Sequence, residues 1–156
     1  MKVRLICMGK TSDPYLKEGI SLYAKRLVHY TDFNLLELDE IKGSKKMSLD
    51  DYRKREADKL RPHLTAERIV LLDEKGKSYT SFAFAKMINQ QMNQGLRSID
   101  FVVGGPFGFD QSIRELAHQS MSLSDMTFSH QMVRLFFTEQ LYRCMTIIKG
   151  ESYHHP

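Results

Sequence analysis

An α/β fold, with a mostly parallel sheet flanked by helices, is predicted from three features of the chain. Short apolar, β-branched runs alternate with longer stretches of helical period, the pattern of strand–helix–strand units. Gly, Ser, Asp and Pro residues punctuate the boundaries. The 156 residues, 42% of them hydrophobic, suffice for one core, and no repeat, low-complexity segment or linker divides them, so residues 1–156 are read as a single domain.

Val3 to Met8 is a compact apolar run closed by Gly9 and reads as a buried strand. Ser12-Asp13-Pro14 supplies cap residues and a proline suited to a first helical turn, opening a helix to about His29 with Leu16, Ile20, Tyr23 and Leu27 as its stripe. Phe33 to Leu38 is the second strand, followed by a basic loop, IKGSKKM (41–47). Ser48 caps a highly charged helix that ends near Pro62. Arg68 to Asp73 is the third strand, with a turn expected at Lys75-Gly76-Lys77. A helix starts near Thr80 or Ser81 and stops at Gly95, where glycine takes a left-handed cap. Ile99 to Val103 is the fourth strand, Asp110 caps a helix to about Gln119, and Met121 to Leu123 is a short fifth strand. The last helix, roughly His130 to Lys149, stops at Gly150. Its apolar surface is broader than one sheet contact needs, which points to a homodimer interface.

A formal charge of +4, from 23 bases interspersed with 19 acids, permits a phosphate-rich partner without requiring one. The two cysteines, Cys7 in an apolar run and Cys144 in a helical pattern, argue against a disulfide framework or a zinc site and suit the reducing cytoplasm. The opening MKVRLICMGK is too short an apolar run for a signal peptide, and no stretch approaches the length of a membrane span, so a soluble, unprocessed protein is expected.

Two phosphate motifs fail on inspection. Gly76-Lys77-Ser78 lacks the glycine five positions earlier, where Leu71 stands, and Gly104-Gly105-Pro106-Phe107-Gly108 has the wrong spacing for a dinucleotide fingerprint and follows the fourth strand instead of the first. From spacing alone the glycine cluster is either a plain strand-to-helix turn or a place where a ligand approaches the backbone closely. Its position favours the ligand: in an open parallel sheet ligands collect beyond the carboxyl ends of the strands, where Leu72, Gly105 and the loop after Leu123 would meet. The histidines give no metal-ligand spacing, and His130 reads as packing near its helix start. The tail GESYHHP is either a frayed terminus or a segment ordered by a pocket or a partner subunit.

The combination of LICMGK, VVGGPFGF and SLSDMTFSHQMVRLFFTEQLYRCMTIIKGESYHH resembles the ribosomal RNA large subunit methyltransferase H family, within the SPOUT group of knotted methyltransferases. The resemblance covers essentially the whole chain and is most specific in the C-terminal third. It implies a deep trefoil knot near the C-terminus, a homodimer, and bent S-adenosylmethionine held by the knot loops. It also implies methylation of N3 of pseudouridine 1915 in helix 69 of 23S rRNA, with the assembled 70S ribosome as substrate. Carried onto this chain, the cofactor contacts fall on Leu72, Gly105, Ser124, Asp125, Met126, Thr127, Phe128 and Ser129. No metal is implied.

An imide nitrogen such as N3 is mostly protonated at neutral pH and must lose its proton as it attacks. Each pKa unit between imide and solution costs about 1.4 kcal/mol, and a positioned base returns roughly two to four orders of magnitude in rate. Tyr153 and His154 are expected to close over the base, with His154 as base or orienter of a water, and Arg143 to stabilise the developing anionic carbonyl. A surface ion pair is the plainer reading of Arg143. Lys42, Lys45, Lys46, Arg53, Lys54 and Arg55 would face rRNA phosphates or simply solvent. The chain departs from the family pattern at His155, where arginine or lysine is common, and at Phe107, where the turn often carries a polar residue. A silent ribosome- or RNA-binding module, or a SPOUT enzyme acting on transfer RNA, are the alternative readings.

Overall fold

The computed structural model describes residues 1–43 and 46–154. The order is β1 (Lys2–Met8), α1 (Pro14–Leu27), β2 (Asp32–Leu38), α2 (Leu49–Leu60), β3 (Arg68–Ser78), α3 (Ser81–Asn93), β4 (Ser98–Val103), α4 (Gln111–Leu116), β5 (Gln119–Ser122) and α5 (Met132–Lys149). All strand pairs are parallel, in the order β2-β1-β4-β3-β5.

The two-residue period of a strand sorts the core onto two faces. Val3, Leu5 and Cys7 of β1, with Ile99, Phe101 and Val103 of β4, pack against Leu27 of α1, Phe84 and Ile88 of α3, and Phe137 and Leu141 of α5. Ile6, Met8, Ile69, Leu71 and Val102 face Ala57 and Leu60 of α2 and Ile113 of α4. The sheet is thus buried between two helical layers, which explains why its strands read as continuous apolar runs.

Local chemistry sets the helix starts. The Ser48 hydroxyl accepts the Asp51 N–H at 3.1 Å, the Thr80 hydroxyl that of Ala83 at 3.1 Å, and the Asp110 carboxylate that of Ser112 at 2.9 Å. At the amino ends of the strands, the fully buried Asp100 accepts two 2.7 Å bonds from Arg4 and the backbone N–H groups of Thr65 and Ala66. Its charge is compensated on every side.

Several boundaries differ from expectation for identifiable reasons. β3 does not end in a turn at Lys75-Gly76-Lys77; it bulges after Leu72 and re-pairs, Lys77 with Met121 and Ser78 with Ser122. A Cβ on Gly76 would lie 2.5 Å from the Met121 nitrogen, so only glycine lets the bulge pass β5 that closely. α4 stops at Leu116 instead of Gln119 because the His118 N–H bonds the Ile69 carbonyl and commits the chain to β5. α1 ends at Leu27, two residues early, in a turn closed from the His29 and Tyr30 N–H groups. α5 begins at Met132, whose N–H bonds the Ser129 hydroxyl at 3.2 Å.

Candidate active site

Beyond the carboxyl ends of β3, β4 and β5 lies a cavity of about 660 Å³, the size of a small-molecule site. The end of β3, the glycine turn after β4 and the loop after β5 form its walls. Leu72, Gly105, Ser124, Met126, Thr127 and Phe128 line it, as the sequence reading expects. Asp125 and Ser129 do not; they hold the loop. Asp125 accepts a 3.2 Å bond from the Ser78 hydroxyl, and Ser129 caps α5.

Gly105 is also held by partners within the chain. Its N–H bonds the carboxylate of Glu56, and its carbonyl accepts the Gly108 N–H at 3.2 Å, so the turn is built around internal partners. A Cβ there would overlap the Glu56 carboxylate. Glu56 is 3% exposed, and burial raises its pKa against the opposing pull of the Tyr52 hydroxyl and the Gly105 N–H. Tyr52 is pushed up to about 12, chiefly by burial and then by Glu56. A buried acid on α2 thereby sets the height of the glycine turn.

The loops are also tied to one another. Thr127 donates to Glu74 at 2.8 Å, Arg114 pairs with Asp73 at 2.6 Å, and the Ser122 hydroxyl donates to the Ser124 carbonyl at 2.7 Å. Leu72, Val103, Met121, Leu123 and Val133 give an apolar wall, while Asp73 and Glu74 bring carboxylates to the rim. The volume and the apolar patch fit a nucleoside-sized group such as S-adenosylmethionine, and the charged lining is mixed, with Arg53, Lys75 and Arg114 alongside Asp73 and Glu74. Among the described residues no cluster of three or more His, Cys, Asp or Glu side chains could hold a metal ion.

Two further residues escape the sequence reading. His130 lines the cavity, its pKa lowered by burial and then by Arg134, which favours the neutral imidazole. Arg134 is fully buried and donates to the Met8 carbonyl (2.8 Å), the Thr11 hydroxyl (3.0 Å), the His130 carbonyl (3.1 Å) and Glu37 (3.3 Å). Thr11 in turn donates to Glu37 through both its N–H and its hydroxyl. The network pins the end of β1 to the entry of α5. A signal was present: Arg134 shares the buried face of α5 with Phe137, Thr138 and Leu141 at positions i, i+3, i+4 and i+7.

Arg143, Tyr153 and His154 do come together, but away from the cavity, whose lining includes none of them. Val133 lines the cavity near the start of α5; Arg143 lies ten residues on, about 15 Å along the helix at 1.5 Å per residue. There its guanidinium holds Glu139 at 2.6 and 3.1 Å and lies 4.7 Å from the Tyr153 ring centroid. The Tyr153 hydroxyl donates to Glu139 at 3.0 Å, and burial is the first cause of its raised pKa. His154 packs edge-on against Phe82 at 4.7 Å, and its Nδ1 stands 3.3 Å from Arg143 Nη1. Arginine cannot accept, so Nδ1 does, and the neutral ring then carries its proton on Nε2. In this arrangement His154 presents a donor; acting as a base requires Nδ1 to be released from Arg143.

Of the basic residues, Arg53 lines the cavity and Lys42, Lys46, Lys54 and Arg55 are exposed. Lys45 and His155 lie outside the described residues. Cys7 and Cys144 are buried free thiols, each pushed up to about 12 by burial, and neither is a nucleophile at neutral pH.

Comparison with known proteins matches residues 1–154 to the family model described as "Predicted SPOUT methyltransferase". Proteins named ribosomal RNA large subunit methyltransferase H from Cytophaga hutchinsonii and Christiangramia forsetii are 48% and 43% identical over 156 residues. The alignments cover 99% of this chain and 100% and 99% of those proteins. Among solved structures, a probable methyltransferase from Bordetella pertussis superposes with a TM-score of 0.51 at 9% identity, covering 92% of this chain and 96% of that one; this likeness is one of fold.

Proposed function

The chain belongs to the SPOUT methyltransferase family, and from that premise we propose that it methylates N3 of a pseudouridine in helix 69 of 23S rRNA, acting on the assembled 70S ribosome in the cytoplasm. The observation that carries this reading is end-to-end similarity, at 40–48% identity, to proteins named for the large ribosomal subunit's RNA. The trefoil knot implied by the resemblance is part of the proposal.

The methyl donor of the reading is S-adenosylmethionine, which when bound supplies an electrophilic methyl on a sulfonium. Leu72, Gly105, Ser124, Met126, Thr127 and Phe128 would hold it. At the target, N3 would take that methyl carbon and give up its proton, and the donor would depart as a neutral thioether. His154 takes the proton through Nδ1 once Arg143 turns to the substrate, or orients the water that does. Arg143, freed from Glu139, would neutralise charge on the adjacent carbonyl oxygen.

Because the tail cluster of one chain does not reach that chain's own cavity, the active species in this reading is a homodimer in which a second copy brings Tyr153 and His154 to it. Support comes from exposed apolar surface beside the cavity: Met126, which lines it, is 75% exposed, and Phe136, packed on the lining residue Phe128 at 4.6 Å, is 36% exposed.

The test is transfer of labelled methyl to 70S ribosomes lacking this modification, beside ribosomes that also lack the pseudouridine. Labelling of the first set alone is expected. Labelling of both sets, or of transfer RNA instead, would overturn the target, and cofactor binding without any transfer would indicate a silent binder.

A further inference from the structure

Phe107 is 42% exposed at the lip of the cavity, where burying an apolar ring would gain about 25 cal/mol per Å². It is nevertheless held in place. The Tyr52 ring meets it edge-on at 5.1 Å and 88°, and Arg53 Nε donates to its carbonyl at 2.8 Å. Gly108 follows at φ +75°, a backbone setting that fixes the turn's exit. Tyr52 is itself buried and anchored beside Glu56, so two side chains of α2 present the phenyl ring outward from a rigid base.

Charged groups of both signs share the cavity with the ring. Arg53, Lys75 and Arg114 share the cavity lining with it, and Lys54 is exposed on the next position of α2. Asp73 pairs with Arg114 and Asp50 lies 3.5 Å from Arg53, while Glu74 also lines the cavity; Arg53, bonded to the Phe107 carbonyl, is the cation fixed beside the ring. An ordered, half-exposed aromatic ring with an arginine fixed beside it has the composition of a platform for unpaired nucleic-acid bases: stacking on the ring, a phosphate on the arginine.

We propose that Phe107 stacks on an unpaired base of the RNA substrate, the target nucleotide or its immediate neighbour, as that base enters the cavity. The assignment rests on the rRNA reading above and adds to it a contact that selects for a flipped, unstacked base. Arg53 beside the ring and the exposed Lys54 next to it supply sequence-blind affinity.

The experiment compares wild type, Phe107→Ala and Phe107→Tyr in three measurements: binding of S-adenosylmethionine by calorimetry, binding of undermethylated 70S ribosomes by co-sedimentation, and steady-state methyl transfer. Loss of one base stack predicts a fall in ribosome affinity and a rise in ribosome KM of about five- to 150-fold for Phe107→Ala. Phe107→Tyr, which keeps the ring, should restore both to within about threefold, and cofactor affinity should move by less than about threefold in either variant. Unchanged ribosome affinity and KM in Phe107→Ala would overturn the proposal. So would an equal loss of cofactor affinity, which would make the ring a wall of the cofactor site. Wild type that binds ribosomes but transfers no methyl would sink the methylation reading while leaving the stack to be read from affinity; wild type that neither binds nor methylates them would sink both.

Discussion

The two ends of α5 are finished to different degrees. At its start, the cavity is closed by bonds within one chain: Arg134 ties β1 to the helix entry, Thr127 ties the last loop to Glu74, and Glu56 supports the glycine turn. At its far end, Glu139, Arg143, Tyr153 and His154 satisfy one another and do not line that cavity. One region has the order of a binding site complete in the monomer. The other has polar groups parked on mutual partners, ready to exchange them for a substrate. On the proposed reading, such a chain holds the methyl donor alone and needs a second copy to use it.

The largest expected effect breaks the tail and spares the cavity. His154→Ala should lower kcat by about 100- to 10,000-fold. Its affinity for S-adenosylmethionine, measured by calorimetry, should stay at the wild-type value; a parallel loss of cofactor affinity would mean the two regions are not separate.

The converse change breaks the cavity end. Arg134→Met leaves the Met8 and His130 carbonyls without their donor and Glu37 without its buried cation, so a loss of about 3–5 kcal/mol in unfolding free energy is expected from urea titration. A loss under 1 kcal/mol would show that the network does not hold the helix entry.

The smallest effect sharpens the comparison through pH. Because the folded-state pKa of Glu56 is raised, its contribution to stability is present below the ordinary carboxylate value and fades as pH rises through the raised one. Glu56→Gln removes that dependence. The melting temperature of the variant relative to wild type should therefore climb as pH rises above the ordinary carboxylate value, and a flat difference would remove the buried charge from the account. His130 runs the other way: its lowered pKa favours the folded state above the ordinary imidazole value and is lost on acidification.

Most of the fold was legible because it is written locally. Ser48, Thr80 and Asp110 announce helix starts through side-chain chemistry that acts within three residues, and Gly95 and Gly150 announce stops through positive φ values of 82° and 71°. The bulge after Leu72 was not legible, since Gly76 looks like a turn until Met121 is seen beside it. Leu72, Gly105 and the loop after Leu123 could be placed together from the rule that ligands gather at strand ends. Glu56 and Arg134 could not, because Gly105 and Met8, which they hold, lie 49 and 126 positions away, and a charged residue on a helix reads as solvent-facing until its partner is known. The tail residues were legible through the resemblance alone, which identifies them without saying which cavity they serve.

Complementation between two inactive chains tests the division between these regions most directly. One chain carries His154→Ala; the other carries Thr127→Trp, which fills the cavity from its exposed rim and should abolish S-adenosylmethionine binding. Each homodimer should be inactive. If the tail acts on the partner's cavity, mixing and reassociating the two yields dimers with one intact site, and about a quarter of wild-type methyl transfer should return at equal proportions. Mixtures as inactive as their parents, with exchange of subunits verified, would contradict the account and return the tail to its own chain's cavity.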